Sequence, residues 1–297
     1  MEANFLTQII LPLTLFIVML GMGLSLKLKD FFQLVQSPRP ILVGLLCQMV
    51  VLPTVGYLLV TIFQLEKELA LGFIILTLCP GGPASNVITY MFRQDTALSI
   101  SLTSVVSFVA PFSIPVLTFV FMEMMAEGGQ KFSLDIIPTI IQLLAITIVP
   151  VSIGMWLLSK FPKKAKAIEK PMVIFAVLLL FAVVTLIVIN DWQNMTRYFV
   201  VTGTIAILLN FSAMVCGFLV ASLFRLPSKQ AVTISIETGI QNGALALFIT
   251  GTILDNLTMT IPTVTYSLIM FYSGCLFAWL INGQWLKLLL KAKKSQS

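Results

Sequence analysis

Nine long apolar stretches, separated only by short charged or turn-forming breaks, leave this chain little choice of architecture. They lie at approximately 5–26, 40–63, 69–92, 96–122, 134–158, 171–190, 198–224, 230–253 and 257–286. One helical bilayer crossing takes about 20 apolar residues. In lipid every backbone N–H and C=O must be bonded within the spanning element, so helices are the expected element. The breaks include Glu66-Lys67-Glu68, Arg93-Gln94-Asp95, the Lys160–Lys170 cluster and Pro227-Ser228-Lys229. Such short loops make neighbouring helices antiparallel. The expected fold is an all-α polytopic membrane protein, one transmembrane domain over residues 1–297.

Charge supports the same division and orients it. Only 10% of the residues are charged, against about 25% in soluble domains. The segments 27–39, 93–95, 159–170, 225–229 and the tail from 287 hold 15 of the 18 Lys and Arg, leaving Lys67, Lys131 and Arg197 for the other side. By the positive-inside rule the amino terminus lies outside and the carboxyl terminus in the cytoplasm, in a cell inner (plasma) membrane. The net charge of +6 thus belongs to a membrane rim and not to a nucleic-acid groove. The apolar run from Phe5 has no basic segment before it and reads as an uncleaved first span.

Several chemistries are excluded by what is missing. With no histidine, imidazole-held haem or zinc and His-based acid–base catalysis are out. Cys47, Cys79, Cys216 and Cys275 show no CxxC spacing and read as free thiols buried in helices. Eleven of the twelve acids sit in or beside breaks; Glu237 alone falls in the middle of a span. One intramembrane acid does not supply the pair an aspartyl-type protease needs, nor the clustered Asp of a prenyl transferase. With no Lys in a span core, a retinal Schiff base has no anchor. No enzyme and no cofactor are expected.

A carboxylate at mid-bilayer costs about 2.5–3.5 kcal/mol on insertion scales. It is either protonated and bonded to a neighbouring helix or offset by a bound charge. Its company favours the second: Glu237-Thr238-Gly239-Ile240-Gln241-Asn242-Gly243 sets two glycines and two amides where lipid would favour Leu and Val. A similar interruption, Cys79-Pro80-Gly81-Gly82-Pro83-Ala84-Ser85-Asn86, cannot remain regular helix. Irregular backbone at this depth must be buried in protein or line a cavity. Lying in the third and eighth spans, the two strings run in opposite directions. Gly/Pro-interrupted spans so placed point to an inverted-repeat secondary transporter. Exposed N–H groups at the half-helix starts suit an anion, and unwound carbonyls suit a cation.

Cys79-Pro80-Gly81-Gly82-x-x-Ser85-Asn86 and Glu237-Thr238-Gly239-x-Gln241-Asn242 resemble the two crossover motifs of the bile acid:sodium symporter family. Gly21-Met22-Gly23-Leu24 with Lys27 and Asp30-Phe31, and Leu98-Ser99-x-Ser101-Leu102-Thr103, resemble it too, so that the likeness runs from about residue 15 to 280. The resemblance implies nine helices, a panel domain that moves against a core domain, and two broken helices crossing in the core. It also implies two sodium sites: one of Ser85, Asn86, Ser99, Thr103 and Glu237, the other of Gln48, Gln241, Glu237 and the carbonyls of Thr238 and Ile240. The chemistry agrees, because a hard monovalent cation takes several mostly neutral oxygens. Ser99 and Thr103, spaced i and i+4, share a helix face. Near the crossing, Pro83, Asn86 and Asn242 are the candidate substrate contacts. Many relatives carry Thr or Asn where Pro83 stands, so their contacts do not transfer.

Two sodium ions, one carboxylate and a substrate monoanion sum to zero charge. The expected function is therefore sodium-driven symport of an organic anion, either bile-acid-like or a small carboxylate such as pantoate, by alternating access. The alternatives are proton coupling through the lone carboxylate, or an exporter of the arsenite or auxin-carrier type. The expected partners are sodium, the anion and the lipid bilayer, with no nucleic acid and no obligate protein partner.

Overall fold

The computed structural model describes residues 5–27, 37–125, 134–190 and 192–282, which are almost entirely helical. The charges at Asp30, Glu127, Lys131 and Asp191, and the tail beyond Asn282, lie outside the described residues. In chain order the helices are α1 (Leu11–Ser25), α2 (Pro38–Leu46), α3 (Leu52–Ile62), α4 (Lys67–Leu78), α5 (Pro83–Met91), α6 (Thr96–Met124) and α7 (Ile136–Leu143). They continue with α8 (Val149–Lys160), α9 (Pro162–Asn190), α10 (Trp192–Leu223), α11 (Ser228–Gly239), α12 (Gly243–Phe248) and α13 (Thr260–Asn282).

Among the described residues six continuous stretches are long and apolar enough to cross a membrane: Thr7–Ser25, Pro38–Ile62, Thr96–Met124, Ile136–Lys160, Met195–Leu223 and Thr260–Leu280. Each falls on an expected span. The third and eighth expected spans are instead broken, into α4 and α5 and into α11 and α12. The sixth lies inside α9. The break expected across Lys160–Lys170 shrinks to Phe161 (φ −129°, ψ 60°). Proline fits the first position of a helix, and the Lys- and Ala-rich segment after Pro162 favours helix.

Among the described residues four π-turns interrupt the long helices. Leu6–Ile10, Cys47–Val51 and Leu144–Ile148 each precede a helix whose second residue is proline: Pro12, Pro53 and Pro150. Proline has no N–H and its ring presses on the carbonyl four residues earlier; widening that turn relieves the clash. The fourth, Ile249–Ile253, holds Gly251 and has no such proline.

The molecule is apolar outside and polar within. Ile62, Val200 and Leu223 are 70–80% exposed, whereas Ser99, Thr103, Asn210, Thr233 and Ser235 are wholly buried. That inversion is what lipid as surrounding solvent produces. Of the four cysteines, all free, Cys47 and Cys79 are buried, while Cys216 and Cys275 are only half-buried. The α4 and α11–α12 segments form the centre, buried along nearly their whole lengths. Around them pack α3, α6, α10 and α13, while α1 packs mainly against α8 and α9 and also touches α12.

At the α1–α8 crossing the two backbones touch. A Cβ on Gly23 would strike the Val151 carbonyl, and one on Gly154 would meet Leu20 O at 2.5 Å and Gly23 Cα at 2.8 Å. Small residues allow such an approach in membranes. Gly154→Val should therefore lower the thermal midpoint by several degrees, as overpacking of about 1–3 kcal/mol would. Gly203→Ala, whose Cβ meets only Thr265 Cγ2 at 3.9 Å, should leave it unchanged. Equal midpoints for the two variants, read by thermal unfolding in detergent, would refute the tight crossing.

Candidate functional site

Each break is made by its own residues. Pro80 offers no N–H and Pro83 opens α5, so residues 79–82 run extended between two half-helices, with Gly82 at φ −100°, ψ 173°. In the other break Ile240 turns extended (φ −108°, ψ 108°) after Gly239. Asn242 then caps α12, its Oδ1 accepting from Leu245 N at 3.1 Å. The two breaks meet. Gly81 and Gln241 form an antiparallel bridge, and Asn242 N donates to Pro80 O at 2.9 Å. Backbone groups released by unwinding one helix are thus satisfied by the other, as burial requires.

Beside this junction the Glu237 carboxylate, 4% exposed, is ringed by hydroxyls. Ser85 Oγ donates to its Oε1 at 2.7 Å and also lies 2.7 Å from Gly82 O. Ser99 Oγ presses on the same Oε1 and stands 2.8 Å from Asn86 Oδ1. Thr103 Oγ1 lies 3.0 and 3.1 Å from the two carboxylate oxygens and 3.5 Å from Asn86 Oδ1. The i, i+4 pair on α6 therefore does reach one point, and four segments contribute to it: α5, α6, α11 and the 79–82 turn. Among the described residues, no group of three His, Cys, Asp or Glu side chains gathers anywhere. The oxygens here are neutral but for one carboxylate.

A second cluster surrounds Gln241. Its Nε2 donates to Thr238 O at 2.8 Å, with Glu237 O at 3.4 Å, while its Oε1 accepts from Gln48 Nε2 at 2.7 Å. Gln48 Nε2 also donates to Cys79 O at 2.9 Å, and the buried Gln48 Oε1 has no hydrogen-bond partner. Gln48 sits in the π-turn Cys47–Val51, so Pro53 helps to set its position. Ile240, fully buried, lies between the two clusters in sequence.

Pro83 and Asn242 line a crevice with Gly82, Gly243, Leu180 and Phe271. Asn86 does not line it; its Oδ1 serves the carboxylate cluster instead. Asn242 Nδ2 and Ser267 Oγ are buried with no hydrogen-bond partner, and Ser267 lines an adjoining cleft that shares Leu180 and Phe271. Sequence reasoning passed over Ser267. It also passed over two side chains that hold the second break, Asn210 and Tyr266, both of which contact Gly239 O. The available signal was a single amide, Asn210, inside an otherwise apolar span.

Comparison with known proteins gives a consistent set. The family model described as "Sodium Bile acid symporter family" matches residues 12–198. A relative named "Uncharacterized sodium-dependent transporter YocS", from Bacillus subtilis (strain 168), is 29% identical over 95% of this chain and 83% of its own length. The ileal sodium/bile acid cotransporter of Homo sapiens is 33% identical over 82% of this chain and 71% of its own. Among solved structures, the sodium proton antiporter MjNhaP1 from Methanocaldococcus jannaschii superposes with a TM-score of 0.52. It is 14% identical and covers 95% of this chain and 86% of that one, a likeness of fold.

Proposed function

This chain belongs to the sodium bile acid symporter family, and on that premise we propose that it takes up an organic anion together with sodium ions by alternating access. As in the family, it is a membrane transporter and not an enzyme. The observation that carries the reading is a shortage of protons around Glu237. Six oxygen–oxygen approaches of 3.1 Å or less share the three hydroxyl protons of Ser85, Ser99 and Thr103. Protonating the carboxyl adds one proton and turning the Asn86 amide places one more on its contact with Ser99, which still leaves fewer protons than contacts. Oxygens gathered in excess of the protons between them are a cation's donor set. Their hardness and single charge suit sodium.

In this reading Ser85, Asn86, Ser99, Thr103 and Glu237 take one ion. Gln48, Gln241, Glu237 and the carbonyls of Thr238 and Ile240 take a second. Gln48 Oε1, without a protein donor, is ready to face a cation. The Gln241 nitrogen now faces Thr238 O and its oxygen accepts from Gln48 Nε2, so the Gln241 side chain must move and release Gln48 to offer oxygen to the same ion. The substrate anion lies in the crevice beside Pro83 and Asn242. There Asn242 Nδ2, with Ser267 Oγ in the adjoining cleft, is a spare donor, and Leu180, Met270 and Phe271 give its body an apolar wall. Pro83 brings no N–H, so the anion leans on Asn242 and on the field of the ions. Each ligand then stabilises the other, a reciprocal coupling.

The packing of α1 against α8 and α9 supports a division into a panel of these helices and a core built on the crossing breaks. The nine apolar stretches and the one-sided Lys and Arg support nine spans with the amino terminus outside, in a plasma membrane. The test is uptake of labelled pantoate and taurocholate into proteoliposomes at clamped pH. An inward sodium gradient should drive one of them, and potassium should not. Uptake driven by a proton gradient without sodium would establish proton coupling instead. No effect of either ion would move the protein to the exporter class.

A further inference from the structure

We propose that Asn210 and Tyr266 are positioning residues for the cation site, acting through the carbonyl of Gly239. The inference rests on the reading above, that ions bind at the second break. Gly239, the last residue of α11, is held to glycine by space: a Cβ there would run into Met214 Cγ and stand 3.1 Å from Met214 Sδ on α10. Glycine gives close helix approach but leaves the backbone unusually free. That freedom falls where α11 unwinds, between Thr238 and Ile240, whose carbonyls are the two backbone oxygens assigned to the second ion. Sterics alone do not fix those oxygens.

Hydrogen bonds from two other helices do. Asn210 Nδ2 on α10 donates to Gly239 O at 2.6 Å, and Tyr266 Oη on α13 donates to it at 2.8 Å. Asn210 Nδ2 also reaches Tyr266 Oη at 3.0 Å, closing a triangle. Across the same peptide, Ile240 N donates to Ile236 O at 2.9 Å. The 239–240 peptide plane is therefore gripped on both sides, which sets the directions in which its neighbours' carbonyls point. Both anchoring side chains are fully buried. Asn210 Oδ1 has no hydrogen-bond partner, an unfavourable arrangement for a buried amide, so what this residue contributes here comes from its nitrogen. Neither side chain belongs to the ligand set, so their action is on geometry.

The test uses sodium itself as the probe. Thermal unfolding of the purified full-length protein is followed while sodium chloride or lithium chloride replaces choline chloride at constant ionic strength. Tyr266→Phe removes one hydroxyl and keeps the ring; Asn210→Leu removes the amide at similar volume. For Tyr266→Phe the sodium concentration giving half-maximal stabilisation should rise about tenfold, the worth of one buried hydrogen bond. Its lithium-to-sodium preference should shift as well. Asn210→Leu should do at least as much, and if it fails to fold, Tyr266→Phe decides alone. A lowered midpoint in choline with unchanged sodium half-saturation and lithium preference would mean packing only, and would overturn the positioning role. Failure of the underlying reading looks different: the wild-type protein itself would melt alike in sodium and choline, and the positioning role would fall with it.

Discussion

In Glu237→Gln, sodium should neither stabilise the protein nor drive uptake, while the protein still folds. The substitution preserves volume and leaves one carbonyl oxygen to accept from the hydroxyls of Ser85, Ser99 and Thr103 that now surround the carboxylate. What it removes is the only negative charge in the middle of a span. Two unit charges about 4 Å apart interact by about 4 kcal/mol at an effective dielectric constant of 20. Losing that attraction raises the sodium requirement on the order of a hundredfold or more. Glu237→Asp keeps the charge but withdraws it by one methylene, so an intermediate sodium response is expected. The measurement is sodium-dependent thermal stabilisation of both variants beside the wild-type protein. A Glu237→Gln variant with wild-type sodium response would mean that the carboxyl is a protonated structural group, and the assignment of both ion sites would go with it.

The site was readable in the sequence where local chemistry dictates structure. Pro80, Gly81, Gly82 and Pro83 cannot sit in regular helix, and the break is where they are. The spacing of Ser99 and Thr103 needed only helical geometry to bring both hydroxyls to one point, and a carboxylate in the middle of a span is conspicuous in the sequence. The parts that escaped depend on which helices become neighbours. Asn210 and Tyr266 lie 29 and 27 residues from Gly239 on different helices, and no local pattern announces their meeting. Ser267 was hidden for the same reason. The π-turns are an intermediate case: Pro12, Pro53 and Pro150 stand in the sequence, but nothing local says whether a proline bends its span or widens the turn before it. The lysines after Lys160 misled in the other direction. Charge alone predicts a break there, whereas a charged segment remains helix when a proline starts it and good helix formers follow.

The two glycines of the first break should respond very differently to the same added methyl group. Neither has a left-handed φ, so the difference is one of space alone. A Cβ on Gly81 would collide with Glu237 Oε2 and lie 3.3 Å from its Cδ and 3.4 Å from Ser85 Oγ. Gly81 cannot easily retreat, since it is bridged to Gln241 and the adjacent Pro80 carbonyl is held by Asn242 N. The carboxylate must move instead, and with it the hydroxyls that converge on it. A Cβ on Gly82 would meet nothing closer than 3.6 Å, at Asn242 Cα and Gln241 O, which is ordinary contact. Gly81→Ala should therefore lose sodium stabilisation by more than about tenfold in half-saturating concentration, since one strained or broken charged hydrogen bond is enough for that. Gly82→Ala should keep a sodium response close to wild type. Sodium titrations of the two variants decide the matter, because a shared loss would point to general disruption of the break, and a shared tolerance would mean that Glu237 is free to swing without affecting ion binding. Only the unequal outcome fits an ion held by a carboxylate whose position the facing backbone fixes.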